Sequence, residues 1–366
     1  AQYEAGVAEL YHPTALQDPL LKKLKDFELP LSKMGGDVAI YNGKIIPNPE
    51  ALKDIFGYEC WKSFNDFMEL GKKYRSPEQF AQAGWPSDNK HPWTQKTLRE
   101  VLDKYITNEH AKRFYEVITK SDLATEPSIT NGAYGFDNGL VDDLDYCQIY
   151  TIDQGIEALV DGLVSELDGK LDIRLNSPIR SIRALDNEFR VTYQREENII
   201  AGKFDALLIC LPVQWLSSIE FIGDLRAPMA KHFAHYYHPG HYLRVACLFD
   251  TPFWIDALGD GSFFRLDAFG GCCVYNEGSR YDVGPYGVLN WLLAGSNAEA
   301  LANSDDDTII EKILNSLPGD LGRRAKAEVR ESKVHRWIGS VNGKPGGSPI
   351  ESIEDKHLVT PDHPNI

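Results

Sequence analysis

The sequence predicts an α/β (α+β) fold made of two domains. The first observation is length, because a single hydrophobic core stops growing at about 250–300 residues and this chain has 366 residues. The second is composition, since 43% hydrophobic and 11% aromatic residues supply packed cores and exclude a disordered or fibrous chain. The third is that helix-like and strand-like apolar patterns alternate along the sequence.

The net charge excludes two classes of partner. Acidic residues number 54 against 38 lysines and arginines, a formal charge of −16, which repels nucleic-acid phosphates and anionic lipid headgroups. The sequence contains no apolar run of about 20 residues that could span a membrane, and its first ten residues lack a basic leader. The six cysteines show no C-x-x-C spacing, so we expect reduced thiols in a cytoplasmic protein.

Helices are expected to dominate the first part of the chain. Residues 2–10 read as an extended segment, and leucines at three- and four-residue spacing predict an amphipathic helix over 14–27. Asn42-Gly43 lies between two short apolar runs and predicts a type I′ hairpin. Residues 48–120 are predicted to be mainly helical, with prolines between the segments.

Strand patterns become frequent after residue 150. A turn at 151–155 precedes a helix with one apolar face over 156–167. The continuous apolar run 204–211, which ends at Pro212, predicts a fully buried strand. Further strands are expected at 172–175, 177–182, 189–193, 241–249 and 287–293.

Near the end of the sequence, residues 308–317 have helical periodicity. The glycine- and proline-rich stretch 339–349 is expected to be a loop. The pattern of this region therefore predicts one helix and one loop.

No motif in the sequence makes a catalytic site on its own. There is no G-x-G-x-x-G or Walker A phosphate cradle and no G-x-S-x-G nucleophile elbow. Four histidines occur at three-residue spacing from His232 to His241, but Pro239-Gly240 would break a helix between them and H-E-x-x-H is absent. We therefore expect no metal site.

Six segments, in order along the chain, carry a family resemblance. Residues 4–8 look like an acidic-x-Gly-Gly stretch, residues 204–212 look like an A-D-x-V-I-x-x-x-P strand, and residues 243–254 form a strand that ends in Pro-Phe-Trp. These patterns resemble the flavin-containing amine oxidoreductase family, which includes monoamine oxidases and L-amino-acid oxidases. The other similar segments are 151–156, 173–182 and 335–337.

The resemblance implies FAD as cofactor and assigns residues to it. The backbone of the first segment would run past the flavin ring, Trp337 would lie beside the ring, and Ile179 would contact the adenine through its backbone. The family's dinucleotide glycines would precede Ala1 and its A-G-D motif would follow Ile366, so we expect the chain to be the interior of a longer flavoprotein. The cofactor-binding residues implied are Gly6, Val7, Ala8, Glu9, Ile179, Leu211, Pro212 and Trp337.

Arg244 occupies a strand position at which many amine oxidases are expected to have a lysine. An arginine stays charged, presents a planar fork of donors and cannot act as a base. It therefore favours a substrate with a carboxylate, such as an amino acid, and the alternative is a structural ion pair beneath the strand. Gly346-Gly347 lies where relatives place an aromatic wall. The resemblance implies Arg244 and Trp337 as catalytic residues.

The function implied is FAD-dependent oxidation of a small amine or amino acid to an imine, by a monomer or a homodimer. A desaturase or isomerase acting on a hydrophobic substrate is an alternative, suggested by the aromatic residues in 249–291. A binding protein that has lost its cofactor is another. The resemblance also implies two interleaved domains, a Rossmann-like FAD-binding domain with portions 1–26, 148–225 and 332–366, and a substrate-binding domain with portions 27–147 and 226–331.

Overall fold

The computed structural model of the protein describes residues 2–14, 19–81 and 91–345 and has a mixed α/β architecture, as the sequence predicts. The strands are β1 (Leu10–Pro13), β2 (Leu31–Met34), β3 (Ala39–Tyr41), β4 (Lys44–Ile46), β5 (Cys147–Ile152), β6 (Ile179–Ala184), β7 (Phe189–Arg195), β8 (Asn198–Phe204), β9 (Glu220–Ile222), β10 (Pro239–Phe249), β11 (Phe263–Leu266), β12 (Cys272–Asn276), β13 (Gly287–Ala294) and β14 (Val329–Asn342).

Along the chain, the helices fall mainly in three groups. They lie before β5, on either side of the strands β6 to β9, and between β13 and β14. They are α1 (Pro19–Asp26), α2 (Leu52–Ile55), α3 (Tyr58–Lys72), α4 (Pro77–Ala81), α5 (Leu98–Tyr105), α6 (Glu109–Leu123), α7 (Gly132–Asp137), α8 (Glu157–Glu166), α9 (Arg226–Tyr236), α10 (Ile255–Leu258), α11 (Gly295–Ala302), α12 (Asp306–Leu314) and α13 (Gly319–Glu328).

A seven-stranded mixed sheet forms the centre of the fold, in the order β14-β10-β13-β12-β11-β3-β4. β10 pairs antiparallel with β13 on one side and with β14 on the other, and β11 pairs parallel with β3. These pairings confirm the strands predicted at 241–249 and 287–293. This sheet carries the residues discussed below.

One face of the seven-stranded sheet is apolar and packs against α11, α12 and α13. Alternate residues of β10, such as Leu243, Val245 and Cys247, are fully buried there with Trp291 of β13. Successive side chains of a strand point to opposite faces. The intervening residues therefore face the other side of the sheet.

The region between β4 and β5 is helical, which confirms the prediction for 48–120 over its described residues. Its core is rich in aromatic rings, and Trp93 is fully buried and stacks on Phe67 at 5.6 Å between ring centroids. Helix α6 joins this core to the seven-stranded sheet, because Arg265 of β11 donates a hydrogen bond to the carbonyl oxygen of Ile118 at 3.0 Å. The helical layer thus borders the polar side of the sheet.

Two smaller sheets complete the fold, in the orders β1-β5-β2 and β8-β7-β6-β9. The predicted hairpin at Asn42-Gly43 is confirmed between β3 and β4, where both residues have a positive φ, 52° and 71°. Two consecutive left-handed residues are the signature of a type I′ turn. The predicted helix over 14–27 is observed as α1, and residues 15–18 lie outside the described ranges.

Two predicted strands are wrong. Residues 172–175 form no strand, and β8 ends at Phe204, so the run 205–211 is not a buried strand. Leu208 in that run is 89% exposed, and α8 buries none of its residues. A continuous apolar run becomes a buried strand only when other elements cover both of its faces, and no described element covers this one.

The predicted loop at 339–349 is also wrong in its first part, because β14 continues to Asn342. A bulge opposite Gly240/His241 takes up the extra residues, and Gly339 there has φ +68°. Glycine adopts that conformation without steric cost, so it bends the strand instead of ending it. Residues 346–349, with Gly346-Gly347, lie outside the described ranges.

The predicted helix over 308–317 is observed as α12, and α13 follows it. Within the described parts of the chain, the helices are all too short or too polar to cross a lipid bilayer. The division into domain portions 1–26, 148–225 and 332–366 against 27–147 and 226–331 stays a prediction.

Candidate active site

The polar face of the seven-stranded sheet brings the two predicted catalytic residues together. Arg244 on β10 lies opposite Leu292 of β13 and His335 of β14, and Tyr242 lies opposite Trp337. Residues two apart in a strand share a face. Arg244 and Trp337 are therefore neighbours on adjacent strands and lie on the same side of the sheet.

Residues 4–8, here called the N-terminal segment, lie across this polar face. The Arg244 guanidinium donates a hydrogen bond from Nη1 to the carbonyl oxygen of Gly6. The Trp337 indole donates from Nε1 to the carbonyl oxygen of Ala5 at 2.7 Å. Both predicted catalytic side chains thus hold the backbone of the predicted cofactor-binding segment.

Two further side chains hold the ends of the N-terminal segment. Asn290 of β13 donates to the carbonyl oxygen of Glu4 at 2.8 Å, and Arg280 donates to that of Ala8 at 3.3 Å. The Glu4 carboxylate accepts hydrogen bonds from the backbone N–H of Ile156 and from a tyrosine hydroxyl. The sheet face and the loop after β12 therefore supply side-chain donors to four of the five carbonyls of the segment.

Arg244 is a buried positive charge in the site. Its side chain is 1% exposed, and its guanidinium carbon lies 4.6 Å from the centre of the Tyr275 ring. No described carboxylate pairs with it, and its Nε and Nη2 atoms have no described hydrogen-bond partner. Burial and the Arg244 charge lower the pKa of the adjacent His335. The described residues thus show no structural ion pair beneath the strand.

Trp337 presents a flat aromatic surface beside the N-terminal segment. It is 43% exposed although its indole N–H is satisfied. A Cβ atom at Gly6 would lie 3.5 Å from the indole ring, which is ordinary contact, so a small side chain would fit there. Val7 is 63% exposed, whereas Ala8 is buried.

The backbone N–H groups of residues 5–8 in the N-terminal segment have no acceptor among the described residues. Among the described residues, none accepts a hydrogen bond from the N–H of Ala5, Gly6, Val7 or Ala8. Four of the five carbonyls of the segment accept from side chains, whereas these N–H donors are left for another group. A backbone donor that stays without a partner is costly when it is buried, which makes this edge suited to a ligand that carries acceptors.

An acidic cluster follows the segment. Tyr11 donates its hydroxyl hydrogen to Glu9 and also lies 3.4 Å from a carboxylate oxygen of Asp122. Arg265 pairs with Asp142 at 2.9 Å and lies 3.9 Å from Asp122. The pKa of Asp122 is raised to about 8, chiefly by burial and also by Glu9 and Asp142, while Arg265 opposes the shift.

Two neighbouring cavities lie beside the acidic cluster. The larger has a volume of about 750 Å³ and the smaller about 260 Å³, and both are lined by Asp37 and Asp142. Three residues that line the larger cavity, Met34, Ile149 and Phe263, belong to the buried cluster that contains Ala8 and Tyr275. Three lining residues of the larger cavity thus pack in the same cluster as Ala8 of the N-terminal segment and Tyr275, whose ring contacts Arg244.

A model of the family described as flavin containing amine oxidoreductase matches residues 7–342. The chain belongs to this family. It is therefore a flavin-dependent oxidoreductase, and FAD is its cofactor. The resemblance seen in the sequence is confirmed, and the alternative of a cofactor-free binding protein is set aside.

Solved structures of amine oxidases share the fold of this oxidoreductase at low sequence identity. Wild-type putrescine oxidase bound to putrescine has a TM-score of 0.70 and 17% identity, and the alignment covers 94% of this chain and 78% of that chain. A double mutant of putrescine oxidase has a TM-score of 0.71, 17% identity and the same coverage. Cyclohexylamine oxidase from Brevibacterium oxydans IH-35A has a TM-score of 0.64 and 15% identity over 87% of this chain and 70% of that chain. No curated protein matches the chain.

The residues of the polar face fit the ring end of FAD. The flavin ring is planar and carries oxygen and nitrogen acceptors along its edge. The site offers the free N–H groups of the N-terminal segment, two unpaired donors of Arg244 and the exposed face of Trp337. This set of donors around a flat surface matches the chemistry of that ring.

The structure does not bring Ile179, Leu211 and Pro212 into contact with this site. Ile179 begins β6 in the four-stranded sheet, and Leu211 is 46% exposed next to Pro212, which precedes a short 3-10 helix. Their assignment to the cofactor stays a prediction. In the ranges that the structure describes, no group of three or more His, Cys, Asp or Glu residues could hold a metal ion.

Sequence reasoning missed several residues of the site. Asn290 and Arg265 each interrupt an apolar strand run, and a polar residue at such a position is a signal that could have identified them. Glu277 and Arg280 lie in a loop after β12, and Asp122 lies near the end of α6, where charged residues are ordinary. Nothing in the local pattern separates those three from surface charges.

Proposed function

We propose that this oxidoreductase oxidises a small amine at the carbon next to nitrogen, giving an imine that then hydrolyses. When bound, FAD supplies the oxidant that takes up the hydride from that C–H bond. A second acceptor, such as O₂, must remove the electrons in each turnover. The observation that carries the proposal is the excess of carboxylates in a cavity whose lining residues Met34, Ile149 and Phe263 pack in one buried cluster with Ala8 of the N-terminal segment.

The cavity lining favours a cationic substrate. The lining residues of the larger cavity include Lys33 and the acidic residues Asp37, Asp142 and Asp260. In the smaller cavity Lys72 is paired with Asp143 at 2.6 Å, so its charge is compensated. An ammonium group is attracted into a cleft with an excess of carboxylates, which also repels anions.

The chain's own residues would orient the substrate and exclude water. Trp337 provides a wall at one side of the N-terminal segment, and Arg244 holds the Gly6 carbonyl in place. Arg244 cannot remove a proton from the substrate, because a guanidinium stays protonated in proteins. Its role in the proposal is electrostatic and positional.

An amino acid is the second candidate substrate. The Nε and Nη2 groups of Arg244 are buried without a described acceptor, and a carboxylate can accept two parallel hydrogen bonds from such an edge of a guanidinium. This observation favours a substrate that carries a carboxylate beside its amine. The acidic cavity opposes it, so amines remain the primary proposal.

The test is a substrate panel on the purified FAD-loaded protein, with imine hydrolysis followed by released ammonia. Putrescine and cyclohexylamine, which the relatives' names indicate, represent amines, and neutral L-amino acids represent the second candidate. We expect turnover of amines, and turnover of amino acids alone would favour the second candidate. Flavin absorption without turnover of either class would contradict both.

Further assignments are proposed with this function. Gly6, Val7, Ala8, Glu9 and Trp337 would contact the flavin ring, and Ile179, Leu211 and Pro212 would serve the adenosine end. A cytoplasmic location is supported by the six cysteines, none of which forms a disulfide, and cell fractionation tests it. A homodimer is proposed for the assembly, and light scattering tests it.

A further inference from the structure

Glu277 occupies the centre of a buried polar network next to the N-terminal segment without touching it. The residue is fully buried, and both of its carboxylate oxygens accept hydrogen bonds. Oε1 accepts from Asn290 Nδ2 at 2.7 Å, and Oε2 accepts from Arg280 Nη2. The carboxylate therefore holds two donors at once.

Each of those two donors also holds one end of the N-terminal segment. Asn290 Nδ2 donates its second hydrogen to the Glu4 carbonyl at 2.8 Å, and Arg280 Nη1 donates to the Ala8 carbonyl at 3.3 Å. The Asn290 amide must have its NH₂ group on this side, because both of its partners are acceptors. One carboxylate thus sets the orientation of the donors at both ends of a five-residue segment.

The N-terminal segment depends on these side chains for its conformation. In the described part of the chain, residues 4–8 make no backbone-to-backbone hydrogen bond and belong to no strand. Its path across the sheet is therefore fixed by side chains. If Asn290 and Arg280 no longer donate to the segment, its backbone is no longer held in place. Its free N–H groups then no longer point in a fixed direction.

We propose that Glu277 is a positioning residue for the flavin. Through Asn290 and Arg280 it holds the Glu4–Ala8 backbone so that the free N–H groups of the segment point at the acceptor edge of the ring. The inference rests on the proposed placement of the flavin ring against this segment. It adds a role for a residue that contacts neither cofactor nor substrate.

The charge of Glu277 is essential to this arrangement. A carboxylate accepts from two donors, whereas an amide has one accepting oxygen and one donating NH₂ group. In Glu277→Gln, the NH₂ group would face either the Asn290 amide or the Arg280 guanidinium, both of which are donors. One end of the segment must then be released although the side chain keeps its size.

The test compares three FAD-loaded variants by two readouts that need no substrate. Glu277→Gln removes the double acceptor, and Asn290→Ala removes one donor and is the milder change. Leu289→Ala is the matched control, because Leu289 is fully buried on the same strand but packs against the helices on the other face. The readouts are the midpoint potential of the flavin and the hydrogen-exchange protection that FAD confers on residues 4–8.

We expect Glu277→Gln and Asn290→Ala to shift the flavin potential and to lower the protection of residues 4–8 by about tenfold. Leu289→Ala should lower the melting temperature with neither effect. The proposal is overturned if both variants match the control in potential and protection. It is also overturned if protection falls while the potential stays at the wild-type value.

These outcomes are separate from the proposed amine oxidation. A protein that binds FAD but oxidises neither amines nor amino acids would contradict the proposed function, and both readouts would still be measurable. Loss of amine turnover in the variants is therefore not used as support. If Glu277→Gln fails to fold, Asn290→Ala against Leu289→Ala decides the result.

Discussion

The guanidinium of Arg244 donates a hydrogen bond to the carbonyl oxygen of Gly6, which lies 238 positions earlier in the chain. This contact joins strand β10 of the seven-stranded sheet to the segment that resembles the flavin-binding stretch of the family. Because Arg244 has no described counter-charge, the contact costs desolvation free energy that a purely structural arginine would recover from an ion pair. Such a residue is retained for function more readily than for stability.

Replacement of Arg244 should therefore separate activity from stability. We expect Arg244→Met to lower kcat/KM for amines by about 10- to 100-fold, corresponding to a lost charge-assisted hydrogen bond. The free energy of unfolding should stay the same or rise, because a buried unpaired charge is removed. Steady-state kinetics and urea unfolding measure the two effects.

Arg265→Met is the comparison for that experiment. Arg265 is also buried, but it pairs with Asp142 at 2.9 Å. Its loss leaves a carboxylate without its partner and should lower the free energy of unfolding by about 3 kcal/mol. Equal destabilisation by the two replacements would contradict the distinction drawn between them.

Trp337 should contribute to turnover mainly through its indole N–H. We expect Trp337→Phe, which keeps an aromatic ring but loses the bond to the Ala5 carbonyl, to lower kcat by about 3- to 10-fold. The melting temperature should change little, since the side chain is 43% exposed. Tyr286→Phe is a control on an exposed aromatic ring outside the site, and an equal loss of kcat there would argue against a specific role for Trp337.

Because of Asp122, the free energy of unfolding should fall as the pH rises through neutrality. Its pKa in the folded protein is about 8, whereas an aspartate in an unfolded chain has a pKa of about 3.9. Between those values the folded state holds one proton more than the unfolded state. The free energy of unfolding should then fall with pH, by up to about 1.4 kcal/mol per pH unit.

The useful window for this measurement is about pH 6.5 to 8. Below that window two other groups also change the pH dependence of the free energy of unfolding. The pKa of Asp137 is raised to about 6, and the pKa of His91 is lowered to about 4. Urea unfolding of the wild type and of Asp122→Asn across that window gives the result. The slope should be absent in the variant, and a wild-type stability that rises with pH would show that Asp122 is ionised in the folded state.

Asp37 should assist the binding of a cationic substrate. It is exposed and lines both cavities, so Asp37→Asn should raise KM for amines by about 2- to 5-fold, as for a screened surface charge. The effect should shrink in high salt. Glu311→Gln on the exposed side of α12 is the control, and a KM equally raised there would point to overall charge instead of the cavity.

Much of the secondary structure could be predicted because its causes are local. The Asn42-Gly43 dipeptide selects the hairpin turn, since both residues accept a positive φ. The alternation in 241–249 defines a strand with one apolar face, and the period of 308–317 defines a helix. Each of these needs information from only a few neighbouring residues.

The predictions that failed depended on distant parts of the chain. The apolar run 204–211 reads as a buried strand, but burial requires covering layers that the run cannot encode. Gly339 reads as a loop residue, but β10 provides a partner strand and a bulge absorbs the glycine. The resemblance identified Arg244 and Trp337, but it did not identify the carbonyl oxygens of Gly6 and Ala5 to which they donate hydrogen bonds.

The sequence by itself determined the mixed α/β class, the acidic character, the main strands of the central sheet and the family. Only the tertiary structure decided which atoms meet at the site. Asn290 and Glu4 are 286 positions apart, and Glu277 acts through two residues that no local pattern connects. Their convergence follows from strand pairing and from the need of each buried polar group for a partner, and both are properties of the folded chain as a whole.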